Sequence, residues 1–266
     1  MDLWGITDCG KVRRQNQDVF KIFSEEEKNI AVLVVCDGMG GARAGHIASL
    51  LAADTFIEYM EEYANDVGSQ SDIAAKMKEA VIIANKAVYE KSIENPEFSG
   101  MGTTLTAAIS TSGGEVVVNI GDSRLYHVTS HSITQVTKDH SVVEDMISRG
   151  DLTRTEARRH PNRNLITKAL GTNKSEEPDV FSLNLNEGEY LLLCSDGLSN
   201  VVFDSEILFE LQQDGSAKES CEKLVEMALL RGAPDNVTAI VYKKQKKCSD
   251  SGSQSSAADH PHKGGM

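Results

Sequence analysis

Four aspartates, each beside a glycine or an asparagine and most at the end of an apolar run, constrain this fold more than any other feature. They are Asp37, Asp122, Asp196 and Asp235. A buried strand that ends in a carboxylate brings a fixed negative charge to the rim of a sheet. Four such ends, far apart in sequence, predict carboxylates that converge on hard cations, because oxygen ligands suit magnesium or manganese rather than zinc or copper.

Taken singly, each of these motifs has a simpler explanation. Asp37-Gly38 is equally compatible with a strand-to-helix turn that needs only glycine. Residues 121–124 fit a plain hairpin, 195–197 form a common type of turn, and Asp235-Asn236 before a strand is the least specific of the set. The prediction of a metal centre therefore rests on the joint occurrence of the four.

Arg13 lies in a polar turn, five residues before Asp18. Across such a turn an arginine can aim its two-pronged guanidinium at a site where Asp18 helps to hold a metal, and that fork suits a phosphate dianion. A solvated arginine on a surface turn is the competing interpretation. The residues alone leave both open.

The charge balance excludes several partner classes. The chain has 27 Lys and Arg against 40 Asp and Glu, a net charge of −13, which argues against nucleic acid and anionic membranes. The N-terminus lacks the pattern of a signal peptide, and the longest apolar run, 30–36, is too short to span a bilayer. The five cysteines form no CxxC or Cys/His cluster, so we expect reduced thiols in a cytoplasmic protein.

Hydrophobic periodicity predicts an α+β layered fold, with amphipathic helices lying on sheets. Long helices are predicted over 43–63 and 71–93, the second capped by Ser71 or Asp72, and shorter ones over 204–213 and 218–231. Strands are predicted over 30–36, 103–110, 115–120, 124–129, 133–136, 180–185, 190–194 and 236–242. A glycine pair at 113–114 predicts a hairpin turn.

Two polar segments differ from the rest. Residues 138–171 are rich in arginine and weakly periodic, which predicts short helices in a mobile insertion. From Lys243 onward no residue is suited to a core. We therefore expect one domain over 1–245 and a disordered tail over 246–266.

Nine different short motifs follow one another along nearly the whole chain. They are Thr7-Asp8-Cys9-Gly10-Lys11-Val12-Arg13, Asn16-Gln17-Asp18, Asp37-Gly38-Met39-Gly40-Gly41, Gly102-Thr103-Thr104, Gly121-Asp122-Ser123-Arg124, Asp139-His140-Ser141, Ala169-Leu170-Gly171, Ser195-Asp196-Gly197-Leu198 and Asp235-Asn236-Val237-Thr238. In this order they closely resemble the metal-dependent serine/threonine protein phosphatases, the PPM or type 2C family, in their compact bacterial form.

That resemblance implies a four-layer α-β-β-α sandwich of two antiparallel sheets flanked by helices, with a two-metal centre of Mn²⁺ or Mg²⁺ at one end. On this mapping Asp37 bridges both ions. Asp196 and Asp235 complete the shell of one ion, and the Gly38 carbonyl, with Asp18 nearby, serves the other.

The resemblance further implies a third, weaker ion held by Asp122 together with Asp196. Arg13 would hold the phosphate, so Arg13 and Asp37 are the expected catalytic residues. Residues 138–171 correspond to the flap that the family carries beside its active site.

The implied activity is hydrolysis of phosphoserine and phosphothreonine on proteins by a hydroxide that bridges two ions, reversing a bacterial serine/threonine kinase. No protein nucleophile is needed, and no cysteine lies in a Cys-x5-Arg loop. The expected partners are phosphorylated proteins and a cognate kinase, and we expect a monomer. The alternatives are a pseudophosphatase that binds phosphoproteins without turnover, and a phosphatase of a stress or sporulation switch protein.

Several positions depart from the family pattern, namely Gln17, Met39, Ala42, His46 and Asn200, and three of them bear on the metal ions or on the general acid. Gln17 stands where many members have glutamate. Because glutamine carries no charge, this replacement would weaken metal affinity at the second site. Met39 replaces a histidine thought to act as general acid, so the leaving group would take its proton from a metal-bound water. Asn200 follows Asp196 where some members have an aspartate for the third ion, so that site is the least specified.

Overall fold

The computed structural model describes residues 1–41, 43–64, 68–213 and 215–245. Eleven strands are assigned within these ranges. They are β1 (Asp2–Asp8), β2 (Asp18–Glu25), β3 (Ile30–Met39), β4 (Gly102–Thr103), β5 (Leu105–Thr111), β6 (Gly114–Ile120), β7 (Arg124–Val128), β8 (Ile133–Gln135), β9 (Asp179–Leu183), β10 (Tyr190–Cys194) and β11 (Val237–Lys243).

Seven α-helices are assigned in the same ranges, with one 3₁₀ turn over Pro96–Phe98. They are α1 (Ala44–Tyr63), α2 (Gln70–Glu94), α3 (Val142–Arg149), α4 (Arg154–Ala157), α5 (Asp196–Ser199), α6 (Asp204–Leu211) and α7 (Ala217–Leu230). The expected helices are therefore present, with ends displaced by a few residues.

The strands form two antiparallel sheets. One has the order β1-β11-β10-β7-β8, and the other has the order β2-β3-β5-β6-β9 with β4 beside β3. Helices α1 and α2 pack on the second sheet, and α7 packs on the first. The predicted α-β-β-α sandwich is thus confirmed.

Strand β3 shows why the sequence builds two layers. Its apolar run is buried on both faces, so it reads as continuous rather than alternating. Val32, Val34 and Cys36 face the helices. Leu33 and Val35 face the other sheet. One face of the strand thus supplies the helix–sheet core and the other supplies the core between the sheets.

Several boundaries differ from expectation. Helix α2 is capped by Ser69, with Asp72 as the reciprocal partner of a capping box, so Asp72 stabilises the first turn without being the cap itself. Strand β1 was not predicted; it lies at a sheet edge and none of its residues is fully buried. A four-residue helix, α5, stands where a turn was predicted after Ser195.

The insertion at 138–171 contains α3 and α4, as expected. Its two arms are joined by an isolated bridge between Ser141 and Ile166, and its end is bridged to Thr103 through Leu170. Its predicted mobility stays a prediction.

The last strand extends farther than the composition suggested. Lys243 ends β11, and the ammonium of Lys244 lies 2.6 Å from a carboxylate oxygen of the fully buried Glu115. A residue type unsuited to a core thus still reaches a buried partner, because the lysine side chain is long, and this contact lies within the domain predicted over 1–245. The predicted tail, 246–266, lies outside the described residues.

Among the described cysteines, Cys9, Cys36, Cys194 and Cys221 are free thiols. None of the helices within the described ranges combines the length and apolar content that a bilayer crossing requires.

Candidate active site

The four aspartates singled out in the sequence lie together at one end of the sandwich. Asp37 is near the end of β3, and Asp122 follows β6 in the same sheet. Asp196 follows β10, and Asp235 precedes β11 in the other sheet. Each sheet thus contributes two carboxylates, and all four line one cavity of about 230 Å³.

The rest of that cavity wall is mostly polar. It consists of Arg13, Gln17, Gly38, Met39, Gly40, Thr104, Asn164, Ile166 and Asn236. Arg13 and Gly38 were expected there. Thr104 and Asn236 stood in the motifs quoted for the resemblance without a role of their own. Asn164 and Ile166 belong to the flap, and nothing in their local pattern marks them.

Asp18 occupies a different position from the other carboxylates. It begins β2 directly opposite Asp37 in the ladder, but it does not line the cavity. Its Oδ2 accepts hydrogen bonds from Ser195 Oγ at 2.7 Å and Thr238 Oγ1 at 2.6 Å, while its Oδ1 is buried without a hydrogen-bond partner. Asp18 therefore lies behind Asp37, and a role as metal ligand stays a prediction.

The aspartates destabilise one another's charged form. Burial raises the pKa of Asp37 and of Asp196 well above the ordinary range, with neighbouring aspartates as the next cause. Burial likewise raises the pKa of Asp122 to about 7 and that of Asp18 to about 6. Such shifts show carboxylates that need a positive charge in order to remain ionised near neutral pH.

The donor set fits hard divalent cations. Asp196 accepts a hydrogen bond from Asn200 through Oδ2 at 3.0 Å, but its buried Oδ1 has no partner. A buried carboxylate oxygen without a partner is costly, and an ion bound there would remove that cost. Within the described ranges no three Asp, Glu, His or Cys side chains form a closed ligand cluster.

Arg13 lies at the rim of the cavity. Its Nη2 donates to Asp235 Oδ2 at 2.8 Å, and this hydrogen bond raises the pKa of Arg13. The Arg13 side chain is 55% exposed. A guanidinium held in this way by one prong keeps other donors for an incoming anion.

The backbone at Asp37 is held in place by hydrogen bonds and close packing. Its N–H donates to Thr104 Oγ1 and its carbonyl accepts from Thr104 N–H, both at 2.9 Å. The next residue must be glycine, because a Cβ on Gly38 would lie 2.1 Å from the carbonyl oxygen of Gly45. The end of β3 is therefore packed against the start of α1, which fixes where the Asp37 carboxylate stands.

Comparison with known proteins gives one consistent result. The family whose profile matches residues 9–229 is described as protein phosphatase 2C. The serine/threonine phosphatase Stp of Listeria monocytogenes serotype 4b is 33% identical over 238 residues, covering 90% of this chain and 94% of the relative.

Solved structures agree in fold. A crystal structure of a bacterial serine phosphatase superposes with a TM-score of 0.86 at 38% identity, over 93% of this chain and 99% of that one. The catalytic domain of the serine/threonine protein phosphatase PstP, in complex with two manganese ions, gives a TM-score of 0.79 at 36% identity, over 92% and 98%. The likeness thus extends over sequence and fold together.

Proposed function

The chain belongs to the protein phosphatase 2C family and is a metal-dependent serine/threonine protein phosphatase, and on that premise we propose that the cavity lined by Asp37, Asp122, Asp196 and Asp235 is its active site. We further propose that it binds two manganese or magnesium ions, and a third more weakly.

The residues divide into three roles. Asp37 would bridge the two ions. Asp196 and Asp235 would complete the ligand shell of one ion, and the Gly38 carbonyl would bind the other, with Asp18 behind it. Asp122 would hold the third ion together with Asp196. Bound divalent ions would supply an activated water and neutralise charge on the phosphoryl oxygens.

Arg13 would bind the phosphoryl group at the mouth of the cavity. Its hydrogen bond to Asp235 orients the guanidinium before the substrate arrives. That arrangement reduces the conformational entropy lost on binding. Met39 lines the same cavity and has no proton to give, so this side chain cannot act as the general acid.

The single observation that supports this proposal best is the convergence of four strand-end carboxylates from two sheets on one cavity, with a buried Asp196 oxygen left without a partner. Among residue types, an oxygen-only set favours hard cations over zinc or copper.

The substrates would be proteins phosphorylated on serine or threonine by a cognate bacterial kinase. A cytoplasmic location and a monomeric state remain our expectations for such an enzyme. The order of preference between manganese and magnesium is set by geometry and availability.

The test is release of phosphate from a phosphothreonine peptide by the purified chain. We expect turnover with Mn²⁺ or Mg²⁺, its loss after exhaustive chelation, and its return when the ion is restored. Turnover that survives chelation would contradict a metal-dependent mechanism. Binding of the peptide without release of phosphate, in the presence of either ion, would instead favour a pseudophosphatase.

A further inference from the structure

His140, at the root of the flap, makes a two-point contact with the residue that precedes Asp122. The N–H of Gly121 donates to His140 Nδ1 at 3.1 Å, and the N–H of His140 donates to the Gly121 carbonyl at 2.9 Å. His140 is 9% exposed. Both polar backbone groups of Gly121 are therefore tied to one flap residue.

The turn that contains Gly121 cannot readily adopt another arrangement. Gly121 has a φ of +104°, and a Cβ there would lie 2.5 Å from Thr104 Cγ2. Thr104 is also the residue that pins the backbone of Asp37. The peptide before Asp122 is thus held between Thr104 on one side and His140 on the other.

The geometry assigns the tautomer of His140. Because Nδ1 accepts the Gly121 N–H, the ring proton belongs on Nε2. Nε2 lies 3.3 Å from Asp179 Oδ2, at the start of β9. Asp179 is also 4.0 Å from the ammonium of Lys168, in the second arm of the flap. A rigid ring with an acceptor on one side and a donor on the other is suited to this position.

The preceding flap residue holds the other side of the same turn. Asp139 accepts from Arg124 Nη2 at 2.6 Å and from Gln135 Nε2 at 2.7 Å. Arg124 comes two residues after Asp122, whereas Gly121 comes directly before it. Consecutive residues of the flap root therefore fix the chain on both sides of Asp122.

We propose that His140 is a positioning residue for Asp122, acting through the backbone of Gly121. It keeps the Asp122 carboxylate turned into the cavity, where the third ion would bind. This inference rests on the proposed function, because it gives His140 a role only if Asp122 binds an ion. The relation is that of an outer residue that orients a metal ligand.

Two substitutions separate the two faces of the ring. In His140→Asn the amide oxygen can take the place of Nδ1 and still accept from Gly121, but the contact with Asp179 is lost. In His140→Gln the amide reaches toward Asp179, but no acceptor remains for Gly121. The matched control is His127→Asn, which removes another histidine–carboxylate contact, with Glu189 at 2.8 Å, from the sheet that holds β7.

The first measurement is calorimetric titration of each metal-free variant with Mn²⁺, alongside kcat and KM on a phosphopeptide. We expect His140→Gln to weaken the lowest-affinity Mn²⁺ site by about 10- to 100-fold, the usual loss when a residue that orients a ligand is removed. His140→Asn should retain most of that affinity, and His127→Asn should retain all of it. Equal losses in the two His140 variants, or no loss in His140→Gln, would overturn the proposal.

Asp122→Asn tests the role of His140 separately from the proposal that Asp122 is a metal ligand. If Asp122→Asn leaves Mn²⁺ binding unchanged, the assignment of Asp122 as a metal ligand fails. If Asp122→Asn weakens binding and His140→Gln does not, only the role of His140 fails.

A measurement on the unsubstituted protein does not depend on any variant folding. Long-range ¹⁵N NMR of histidine-labelled protein reports which ring nitrogen carries the proton. A His140 ring protonated on Nε2 alone supports the proposal. A proton on Nδ1 would exclude acceptance from Gly121 and would refute it.

Discussion

At one end of the β-sandwich the buried Glu115 carboxylate is paired with the ammonium of Lys244, whereas at the other end several aspartates share one cavity. Glu115 stands near the start of β6 and Asp122 follows its end. The strand therefore separates the two groups by roughly 20 Å. Ser110 Oγ and the N–H of Leu185 also donate to Glu115, so its oxygens are satisfied by the chain itself.

The aspartate end has no such internal compensation. Within residues 1–41, 43–64, 68–213 and 215–245, neither Asp37 nor Asp196 has a basic side chain at ion-pair distance, and only Asp235 is paired, with Arg13. Burial of like charges together is unfavourable unless something else neutralises them.

Cavity size would have pointed to the wrong end. The cavity beside Glu115 measures about 920 Å³ and the one among the aspartates about 230 Å³. The larger one is lined by groups that already have partners, such as Glu115 and Lys244. The presence of unsatisfied charge is therefore a better guide to function here than volume.

The largest expected effect comes from removing a charge at the aspartate end. Asp37→Asn should lower kcat/KM on a phosphopeptide by more than about 100-fold, the upper end for losing a residue that merely supports a metal ligand. The same change should raise the melting temperature of the metal-free protein, because it removes one of several mutually repelling carboxylates. Calorimetry and phosphate release check both effects. A metal-free Asp37→Asn protein that melts lower would show that the Asp37 charge is compensated within the chain.

At the Glu115 end, removing the positive charge of Lys244 should affect stability alone. A chain that ends at Lys243 loses the backbone hydrogen bonds of Lys244 with Gly188 and Glu189. It also leaves the Glu115 carboxylate buried without its cation, and this unpaired charge alone should cost about 3–5 kcal/mol of unfolding free energy. A chain that ends at Gln245 keeps the pair, and it should unfold like the full-length protein. Urea denaturation of the two truncations measures the difference, and kcat per folded molecule should be equal in both. Equal unfolding free energies would mean that the Lys244–Glu115 pair contributes nothing.

Acid pH should raise the unfolding free energy of the metal-free protein, because protons neutralise the carboxylates at the aspartate end. The pKa of Asp18 is raised to about 6 and that of Asp122 to about 7. A carboxyl whose pKa is raised by folding stabilises the native state fully below its unfolded pKa and loses that contribution as pH rises through the folded value.

The unfolding free energy of the metal-free protein should therefore fall, on the order of a few kcal/mol, between about pH 4 and pH 8. Saturating Mn²⁺ should lessen this fall, because bound ions compensate the charges that protons compensate at low pH. Asp122→Asn should lessen it without metal. A metal-free stability that rises over this pH range would contradict the picture of mutually repelling aspartates.

The aspartate end was predictable from sequence to an unusual degree because its residues follow strong local signals. Strand β10 was predicted over its observed length because Tyr190–Cys194 is a short, wholly apolar run that is followed closely by the charged Asp196. Asp37, Asp122, Asp196 and Asp235 were placed together because each follows or precedes such a run. The resemblance to a known family then supplied roles that spacing alone could not.

What the sequence did not predict depends on contacts between distant segments. The Lys244–Glu115 pair joins residues 129 positions apart, and no local pattern marks either as a partner. The position of Asp18 behind Asp37 follows from the register of β2 on β3, which cannot be deduced from either strand alone. The contact of His140 with Gly121 likewise depends on how the flap returns to the sheet.

The smallest expected effect concerns the flap, which lines the aspartate cavity through Asn164 and Ile166. The Arg158 guanidinium lies 4.7 Å from the centre of the Phe203 ring and 3.7 Å from Asp204 Oδ1, so it fastens the flap to the start of α6. Exposed cation–π contacts contribute about 0.5–1 kcal/mol, so the expected effect is roughly 2- to 5-fold. Replacing Arg158 and Arg159 with alanine should lower kcat/KM on a phosphoprotein by that factor while sparing para-nitrophenyl phosphate, because the position of the flap matters only to substrates large enough to reach it.

The single variants assign the effect. Arg158→Ala should reproduce most of it, and Arg159→Ala, a change at the exposed neighbouring position, should reproduce little, because the fastening contact belongs to Arg158. Equal losses on the phosphoprotein and on para-nitrophenyl phosphate would mean that the flap supports the aspartate cavity itself. In that case the aspartate end would depend on the contact of Arg158 with the start of α6. The two ends of the sandwich would then differ in the contacts that stabilise them as well as in how their charges are compensated.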